Sequence, residues 1–156
     1  MNEILGWTVE ARLSPRVVRA RRGTDAPVVL KATGPGASWS ERAALRHEGR
    51  LLDRGRGPGV VELLDIVEAR RRTALVLAFV PTDRRRHPEV DVEEVQPIVE
   101  QLHRVGIVHR AVQDHLLLTA DGDVVLCGFG AAELRDPGGA GRPRSPGGRP
   151  GGRHRP

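Results

Sequence analysis

Leu102-His103-Arg104-Val105-Gly106-Ile107-Val108-His109-Arg110 is the stretch of sequence that decides the fold. It closes a run of apolar residues at helical spacing over 95–105, and its glycine is the signal that ends this helix. Beyond it, the apolar runs 116–118 and 124–126 flank Asp121-Gly122, a turn signal that predicts a β-hairpin. The stretch therefore joins a predicted helix to a hairpin through a polar loop.

Asp91 and Glu94 mark the start of this helix, because a capping side chain followed three residues later by glutamate resembles a capping box. Pro97 interrupts the helical pattern. Since proline is favoured at the first helical position, we expect Pro97 to lie in the first turn.

The residues before this helix predict a sheet and one further helix. Ser38 and Glu41 form a capping box for that helix, and Gly55 should end it. A polar turn at 69–72 separates the last two strands. The predicted strands cover residues 7–13, 17–21, 28–32, 60–68 and 73–80.

Composition limits the classes of function. The net charge of +5 arises entirely in residues 137–156, which carry five arginines and no acid, so residues 1–136 are neutral. In that tail 17 of 20 residues are Gly, Pro or Arg, which predicts disorder. Since the tail lacks aromatic residues for base stacking, a nucleic-acid partner is not expected.

Two further observations concern the compartment. Cys127 is the only cysteine, which excludes an internal disulfide and predicts a reducing, cytoplasmic location. The longest apolar run, Ala74–Val80, is far shorter than the ~20 residues that span a bilayer, so we expect no membrane partner.

Five short motifs, in this order, resemble those of eukaryotic-type Ser/Thr protein kinases. They are Val28-Val29-Leu30-Lys31, His47-Glu48, Leu75–Val80, Leu102–Arg110 and Cys127-Gly128-Phe129-Gly130. The resemblance covers residues 5–135 and implies an α+β fold. It implies a kinase-like N-lobe (an antiparallel sheet plus one helix) at 1–80, then a C-lobe stub (a helix, a catalytic-loop remnant and a β-hairpin) at 81–136. The Gly/Pro/Arg-rich tail occupies 137–156.

The resemblance also implies a nucleotide pocket. Lys31, the only lysine, would pair with Glu48 and contact nucleotide phosphates. The alternative is a surface lysine on an edge strand. Leu77 would be the gatekeeper, and Phe79 and Val80 would follow it in the hinge that contacts adenine.

The catalytic positions implied by the resemblance are degenerate. Kinases place an aspartate after His-Arg to accept the substrate proton, whereas this chain has Ala111. Gln113 replaces the catalytic-loop lysine, and Gly128 replaces the metal-binding aspartate of the Asp-Phe-Gly motif. The second metal-binding position falls on His115 or Leu116, and neither is asparagine. We therefore assign no catalytic residue and no metal site.

The phosphate-binding glycines are missing as well. Their three positions fall on Glu10, Arg12 and Pro15, and glycine is needed there because it lets backbone amides approach the phosphates. Other residues are assigned structural roles: His109 braces the loop, Phe129 and Cys127 are buried, and Arg110 is solvated or paired with a carboxylate. The spacing of His103, His109 and His115 suits no usual metal site.

These features predict a pseudokinase, a degenerate protein-kinase-like domain that acts as a non-catalytic regulatory or interaction module in signalling. No cofactor is required, and ATP without Mg²⁺ is the alternative ligand. The expected partner is a kinase, another signalling protein or a second copy. It would contact apolar faces left exposed on 95–105 and 116–118 by the missing C-lobe helices. Arginine in place of lysine, with abundant Gly and Pro, is typical of a high-GC bacterium.

Three alternatives stay open. The first is a residual ATP-binding Ser/Thr kinase with weak phosphotransferase activity through Asp114, Asp121 or Asp123. The second is nucleic-acid binding through the basic tail. The third is a truncated gene product with no independent function.

Overall fold

An antiparallel sheet forms most of the first half of the chain. The computed structural model describes residues 2–82 and 91–135, so the predicted tail at 137–156 lies outside the described residues. Six strands pair in the order β1-β2-β3-β4-β6-β5, and each neighbouring pair is antiparallel. They are β1 Glu3–Ile4, β2 Trp7–Ser14, β3 Val17–Arg21, β4 Val28–Ala32, β5 Leu63–Ala69 and β6 Arg72–Ala78.

The inner strands of the sheet alternate in exposure. Val18 and Leu30 are buried in an apolar cluster on one face, and the period of two sends their neighbours Arg19 and Lys31 to the opposite face. Strand β4 lies between β3 and β6. The alternative that Lys31 lies on an edge strand is therefore wrong.

Helix α1 (Trp39–Arg54) begins at the predicted capping box. The Glu41 amide donates to the Ser38 hydroxyl, and the Ser38 amide donates to the Glu41 carboxylate at 2.9 Å. The helix ends at Gly55, as predicted. Gly49 lets α1 approach the sheet, because a Cβ at this position would lie 2.6 Å from Ile66 and 2.8 Å from Leu75.

Helix α2 (Val92–Arg104) starts five residues before Pro97. Asp91 is its N-cap, but its carboxylate accepts from the amide of Glu93 and makes no capping box with Glu94. The prediction that Pro97 lies in the first turn is therefore wrong. The N-cap and the buried residues of the next turns fix the start of α2, and Pro97 is accommodated on the exposed side.

The C-terminal part of the described chain contains two small sheets. The predicted hairpin is present as β8 (Leu116–Leu118) and β9 (Val124–Leu126), which are antiparallel. A second pair joins β7 (Ile107–Val108) to β10 (Glu133–Leu134). Short 3₁₀ turns precede and follow the hairpin at Val112–His115 and Phe129–Ala131.

The strand predicted over 60–68 begins only at Leu63. Val60 instead forms a parallel bridge with Leu126, and the Val61 amide donates to the Leu126 carbonyl at 2.9 Å. A segment of the first half therefore pairs with the C-terminal hairpin.

One apolar core joins the two halves. It combines Leu52 of α1 with Leu102 of α2, Leu126 of β9 and Phe129, all at most 2% exposed. The expectation that the apolar face of 95–105 is exposed is wrong, because Val95, Ile98 and Leu102 are buried in this core. Leu116 to Leu118 are half-buried.

The chain is an α+β protein with a curled antiparallel sheet and two helices in its described part, an arrangement compatible with a kinase N-lobe-like fragment. The division into 1–80 and 81–136 stays a prediction. Among the described residues, the search for an apolar helix of membrane-spanning length found none.

Candidate ligand cavity

A cavity of about 1060 Å³ lies between the sheet and the C-terminal hairpin. Its walls come from the β2–β3 hairpin, β4, α1, the end of β6 and the segment around β8 and β9. All five residues proposed for nucleotide contact line it: Lys31, Glu48, Leu77, Phe79 and Val80. The fold therefore gathers residues that the sequence separates by up to 49 positions.

An ion pair crosses this cavity from strand to helix. Lys31 Nζ lies 2.8 Å from each carboxylate oxygen of Glu48. The Glu48 side chain is 6% exposed and that of Lys31 26%, so the carboxylate is buried while the ammonium faces the cavity. Because Glu48 has little access to water, the lysine is the partner that compensates its charge.

Gly128 and His115, which both line the cavity, pack directly against each other. Gly128 has φ +67°, and any Cβ at this position would overlap the His115 imidazole ring. The ring is oriented by Nδ1, which lies 2.9 Å from the carbonyl oxygen of Ala111. His115 lines the cavity, whereas Leu116 does not. The imidazole thus occupies the space next to Gly128 that an aspartate side chain would need.

Cys127 holds the same segment through two contacts with His115. Its amide donates to the His115 carbonyl at 2.9 Å, and its Sγ donates to the same oxygen at 3.1 Å. Burial raises the pKa of the Cys127 thiol to about 11, an effect that nearby Lys31 partly opposes. The thiol is therefore neutral near pH 7.

Ala111 and Gln113 do not line the cavity. Ala111 precedes the 3₁₀ turn, where its amide donates to His109 Nδ1 at 3.2 Å and its carbonyl meets His115. Gln113 is exposed. Neither side chain is placed for chemistry on a molecule in the cavity.

His109 braces the loop, as predicted. Its Nε2 lies 2.8 Å from the Cys127 carbonyl, and its Nδ1 accepts from Ala111, so the neutral ring carries its proton on Nε2. Burial lowers the pKa of His109 from its ordinary value of 6.5, and the hydrogen bond to Cys127 opposes that shift. Phe129 packs edge-on against this ring at a centroid distance of 4.9 Å. Phe129 is 1% exposed, which confirms that it belongs to the core.

Arg110 is paired with a carboxylate. It has φ +70°, and its guanidinium lies 2.7 Å from Glu133 of β10. Of the two alternatives for Arg110, the structure therefore shows the ion pair.

Glu48 is the only carboxylate among the described residues that line the cavity. Asp114, Asp121 and Asp123 are not part of the lining. No group of three His, Cys, Asp or Glu side chains in residues 2–82 and 91–135 is placed to hold a metal ion. Mg²⁺ prefers oxygen ligands, and the single oxygen donor group of this kind is already bound to Lys31.

Arg16 and Arg19 are cavity residues that the sequence analysis missed. Arg19 lies over the Phe79 ring at 5.6 Å, and its Nε lies 3.0 Å from Glu10. Pairing with Arg21 and Arg19 lowers the pKa of Glu10, and Glu10 does not line the cavity. The period-two pattern of β3 could have identified Arg19, because it shares a face with Val17, the cross-strand partner of Lys31.

No protein-family model matches the chain. The hormonally up-regulated neu tumor-associated kinase of Mus musculus is 32% identical over 99 residues, which cover 55% of this chain and 14% of that kinase. The RIO-type serine/threonine-protein kinase Rio1 of Haloferax volcanii is 30% identical over 99 residues, with 58% and 34% covered. Calcium/calmodulin-dependent protein kinase type 1 of Macrobrachium nipponense is 23% identical over 139 residues, with 79% and 40% covered.

These similarities show a kinase-like relationship over part of the chain. The chain spans about 14% of the length of the mouse kinase.

Proposed function

We propose that this kinase-related chain is a pseudokinase: it does not transfer phosphate and acts as a non-catalytic regulatory or interaction module in signalling. The observation that carries the proposal is the packing of His115 on Gly128 in a cavity where the only carboxylate among the described lining residues, Glu48, is bound to Lys31. Phosphoryl transfer depends on Mg²⁺ held by oxygen ligands and on a positioned proton acceptor. Among the described residues that line the cavity, Glu48 is the one carboxylate, and it is bound to Lys31.

The alternative of weak catalysis through substituted acids is less well supported. Asp121 and Asp123 belong to the β8–β9 turn, where the Asp123 amide donates to Thr119. Asp114 is exposed on the 3₁₀ turn. Loss of general-base help alone lowers a rate by about 10²–10⁴. In residues 2–82 and 91–135, no cluster of side chains is placed to hold a metal ion as well.

The test is a phosphotransfer assay with radiolabelled ATP, Mg²⁺ or Mn²⁺ and a mixture of protein substrates. We expect no label above background for the chain itself or for the substrates. The Lys31→Met variant serves as the matched control, because it removes the one cavity lysine. Label that is transferred by the wild-type chain and lost in Lys31→Met would overturn the proposal.

A second candidate function is nucleotide binding without Mg²⁺, which needs no metal ligand. The specific observation that favours it is the cavity itself, where three cations (Arg16, Arg19 and Lys31) outnumber the one carboxylate among the described lining residues, Glu48, beside the apolar Leu77 and Val29. An anionic ligand in this cavity would be neutralised by these side chains and not by a metal ion.

Thermal melting with ATP tests this second function. We expect a rise in melting temperature with ATP in EDTA that is no larger in Mg²⁺, and a smaller rise for Lys31→Met. Arg104→Gln, on the exposed side of α2, is the control and should respond like the wild-type chain. A shift that appears only with Mg²⁺ would contradict metal-free binding.

The proposal also includes a partner, a compartment and a source organism. The partner would be a kinase, another signalling protein or a second copy of this chain. The single cysteine and the arginine-rich composition support a cytoplasmic protein of a high-GC bacterium.

A further inference from the structure

A second pocket, of about 510 Å³, lies where the loop after β4 meets the β2–β3 hairpin and the first turn of α1. Arg12, Arg16 and Arg72 line it, together with the backbone of Gly34. Glu41 is the only acid among its described lining residues. The pocket therefore has a clear excess of positive charge.

Two of the three guanidinium groups are held in place by backbone carbonyls. Arg12 donates to the Pro15 carbonyl at 2.9 Å, and Arg72 donates through Nε to the Thr33 carbonyl at 3.1 Å. A guanidinium has five N–H donors, so a single bond orients the group and leaves further donors for a ligand. Groups that are already oriented lose less entropy when they bind an anion.

Glu41 neutralises this charge only weakly. Its Oε2 accepts from the Ser38 amide and hydroxyl, both at 2.9 Å, as part of the helix cap. These bonds to Ser38 are the main cause of its lowered pKa. Its contact with Arg16 is 3.6 Å long between side chains that are 46% and 64% exposed, and such surface pairs contribute little.

An exposed tryptophan lies beside the pocket in the sequence. Trp39 is the first residue of α1, two positions from the lining residues Ala37 and Glu41, and it is 70% exposed. Tryptophan and arginine are the residues most enriched among the energetic centres of protein interfaces. Oriented arginines in a pocket, with an exposed tryptophan on the same helical turn as the lining residue Glu41, are therefore typical of a binding surface.

We infer that this pocket, together with Trp39 on the first turn of α1, binds an acidic peptide segment of a protein partner, in which glutamate or aspartate side chains alternate with apolar ones. The carboxylates pair with Arg12, Arg16 and Arg72, and an apolar side chain packs on the Trp39 indole. The inference rests on the proposed function for its biological role, because it names the class of partner that an interaction module would take. Binding of a peptide is measured without phosphate transfer, so the two ideas can fail separately.

The test uses the full chain and a short fluorescein-labelled peptide in which glutamates alternate with leucines. We expect saturable binding by fluorescence anisotropy, weakening as salt is raised. The corresponding glutamine–leucine peptide should not bind. We expect binding about tenfold weaker in Arg12→Gln/Arg72→Gln, because hydrogen bonds to charged groups are lost.

Arg50→Gln/Arg104→Gln is the matched control, since it removes the same charge from exposed positions outside the pocket. It should bind the peptide like the wild-type chain. Trp39→Ala provides a variant that is safe for folding, because the side chain is exposed, and it should also weaken binding. Equal affinity of the two double variants, wild-type affinity of Trp39→Ala, or binding of the glutamine peptide would overturn the inference. The first of these results would place the peptide elsewhere, for example on the basic tail.

Discussion

At the scale of single residues, the contact between Gly128 and His115 limits which side chain can stand at position 128. The imidazole of His115 lies directly against the Cα of this glycine. The left-handed φ of +67° at Gly128 further favours glycine there. Restoring an aspartate at 128 alone therefore conflicts with both the backbone and the neighbour.

Gly128→Asp should destabilise the chain by about 2–4 kcal/mol, since a strained φ costs about 1 kcal/mol and an overpacked site about 1–3 kcal/mol. Measured against His115→Ala alone, the same Gly128→Asp change should cost only about 1 kcal/mol, because the overlap is gone and only the strain remains. Chemical denaturation followed by circular dichroism gives both values.

Gly122→Asp separates the two causes. Gly122 also has a positive φ, +89°, but nothing lies within 4 Å of a Cβ built there. The Gly122→Asp change should therefore lower the free energy of unfolding by about 1 kcal/mol, which is the cost of the positive φ alone. If Gly122→Asp proved as costly as Gly128→Asp, the overlap with His115 would not explain the difference between the two sites.

His109 makes the stability of the chain depend on pH. Its pKa in the folded chain lies below the ordinary value of 6.5, so the unfolded chain binds its proton more readily. The contribution of His109 to stability is therefore complete above pH 6.5 and is lost as the pH falls from 6.5 toward the lower folded pKa. A protonated Nδ1 would also lose the hydrogen bond from the Ala111 amide.

We expect the free energy of unfolding to decrease between about pH 7 and 5 more steeply in the wild-type chain than in His109→Gln. Urea denaturation at several pH values measures this difference, and carboxylates common to both chains cancel in it. His103→Gln, at an exposed position on α2, is the control and should retain the wild-type slope. Parallel curves for the wild type and His109→Gln would contradict this account.

At the scale of secondary-structure elements, local signals in the sequence predicted most of the fold. The capping box at Ser38, the stop at Gly55 and the hairpin turn at Asp121-Gly122 involve neighbouring residues, and each lies where predicted. The very short strands β1, β7 and β10 were not predicted, because pairs of residues carry no periodicity. Strand β5 was predicted too early, since Val60 pairs with a residue 66 positions away.

The residues of the cavity were predictable only where a sequence motif contains them. Lys31 and Glu48 were found because they belong to motifs with a known spacing. The packing of His115 on Gly128 depends on how the 3₁₀ turn brings two loops together, which no local pattern encodes.

Pro97 tests where helix α2 begins. In the structure Pro97 is the sixth residue of the helix, and it is exposed. Because proline has no backbone N–H, the helical hydrogen bond to the Glu93 carbonyl is not made. Pro97→Ala should therefore stabilise the chain by about 1–3 kcal/mol, a little less than the full cost of an interior proline because the unfolded chain also gains freedom.

Chemical denaturation measures this gain, and Gln96→Ala on the same turn is the control. It removes one exposed contact with Glu100 and should change stability by no more than about 0.5 kcal/mol. If Pro97→Ala lowered stability, the helix would begin at the proline in solution, where proline is favoured.

At the scale of the whole molecule, the two halves share one core. Leu126 of β9 is fully buried, and its side chain belongs to the same apolar cluster as residues of α1 and α2. Its backbone carbonyl accepts a hydrogen bond from the amide of Val61 in the first half. A chain built in this way should unfold as a unit, although its N-lobe-like sheet and its two small C-terminal sheets are separate in sequence. A cooperative transition would also argue against a truncated product that cannot fold alone.

Leu126→Ala should destabilise the whole chain by about 2–5 kcal/mol, because it leaves a cavity in this shared core. Tryptophan emission follows Trp7 and Trp39 in the first half, whereas far-ultraviolet circular dichroism follows all of the secondary structure. Both signals should shift together to lower denaturant concentration.

Leu134→Ala, the same change at a side chain that is 50% exposed, is the control and should cost about 0.5 kcal/mol. If tryptophan emission kept its wild-type midpoint in Leu126→Ala while the circular dichroism shifted, the six-stranded sheet would unfold independently of the segment that carries β7 to β10.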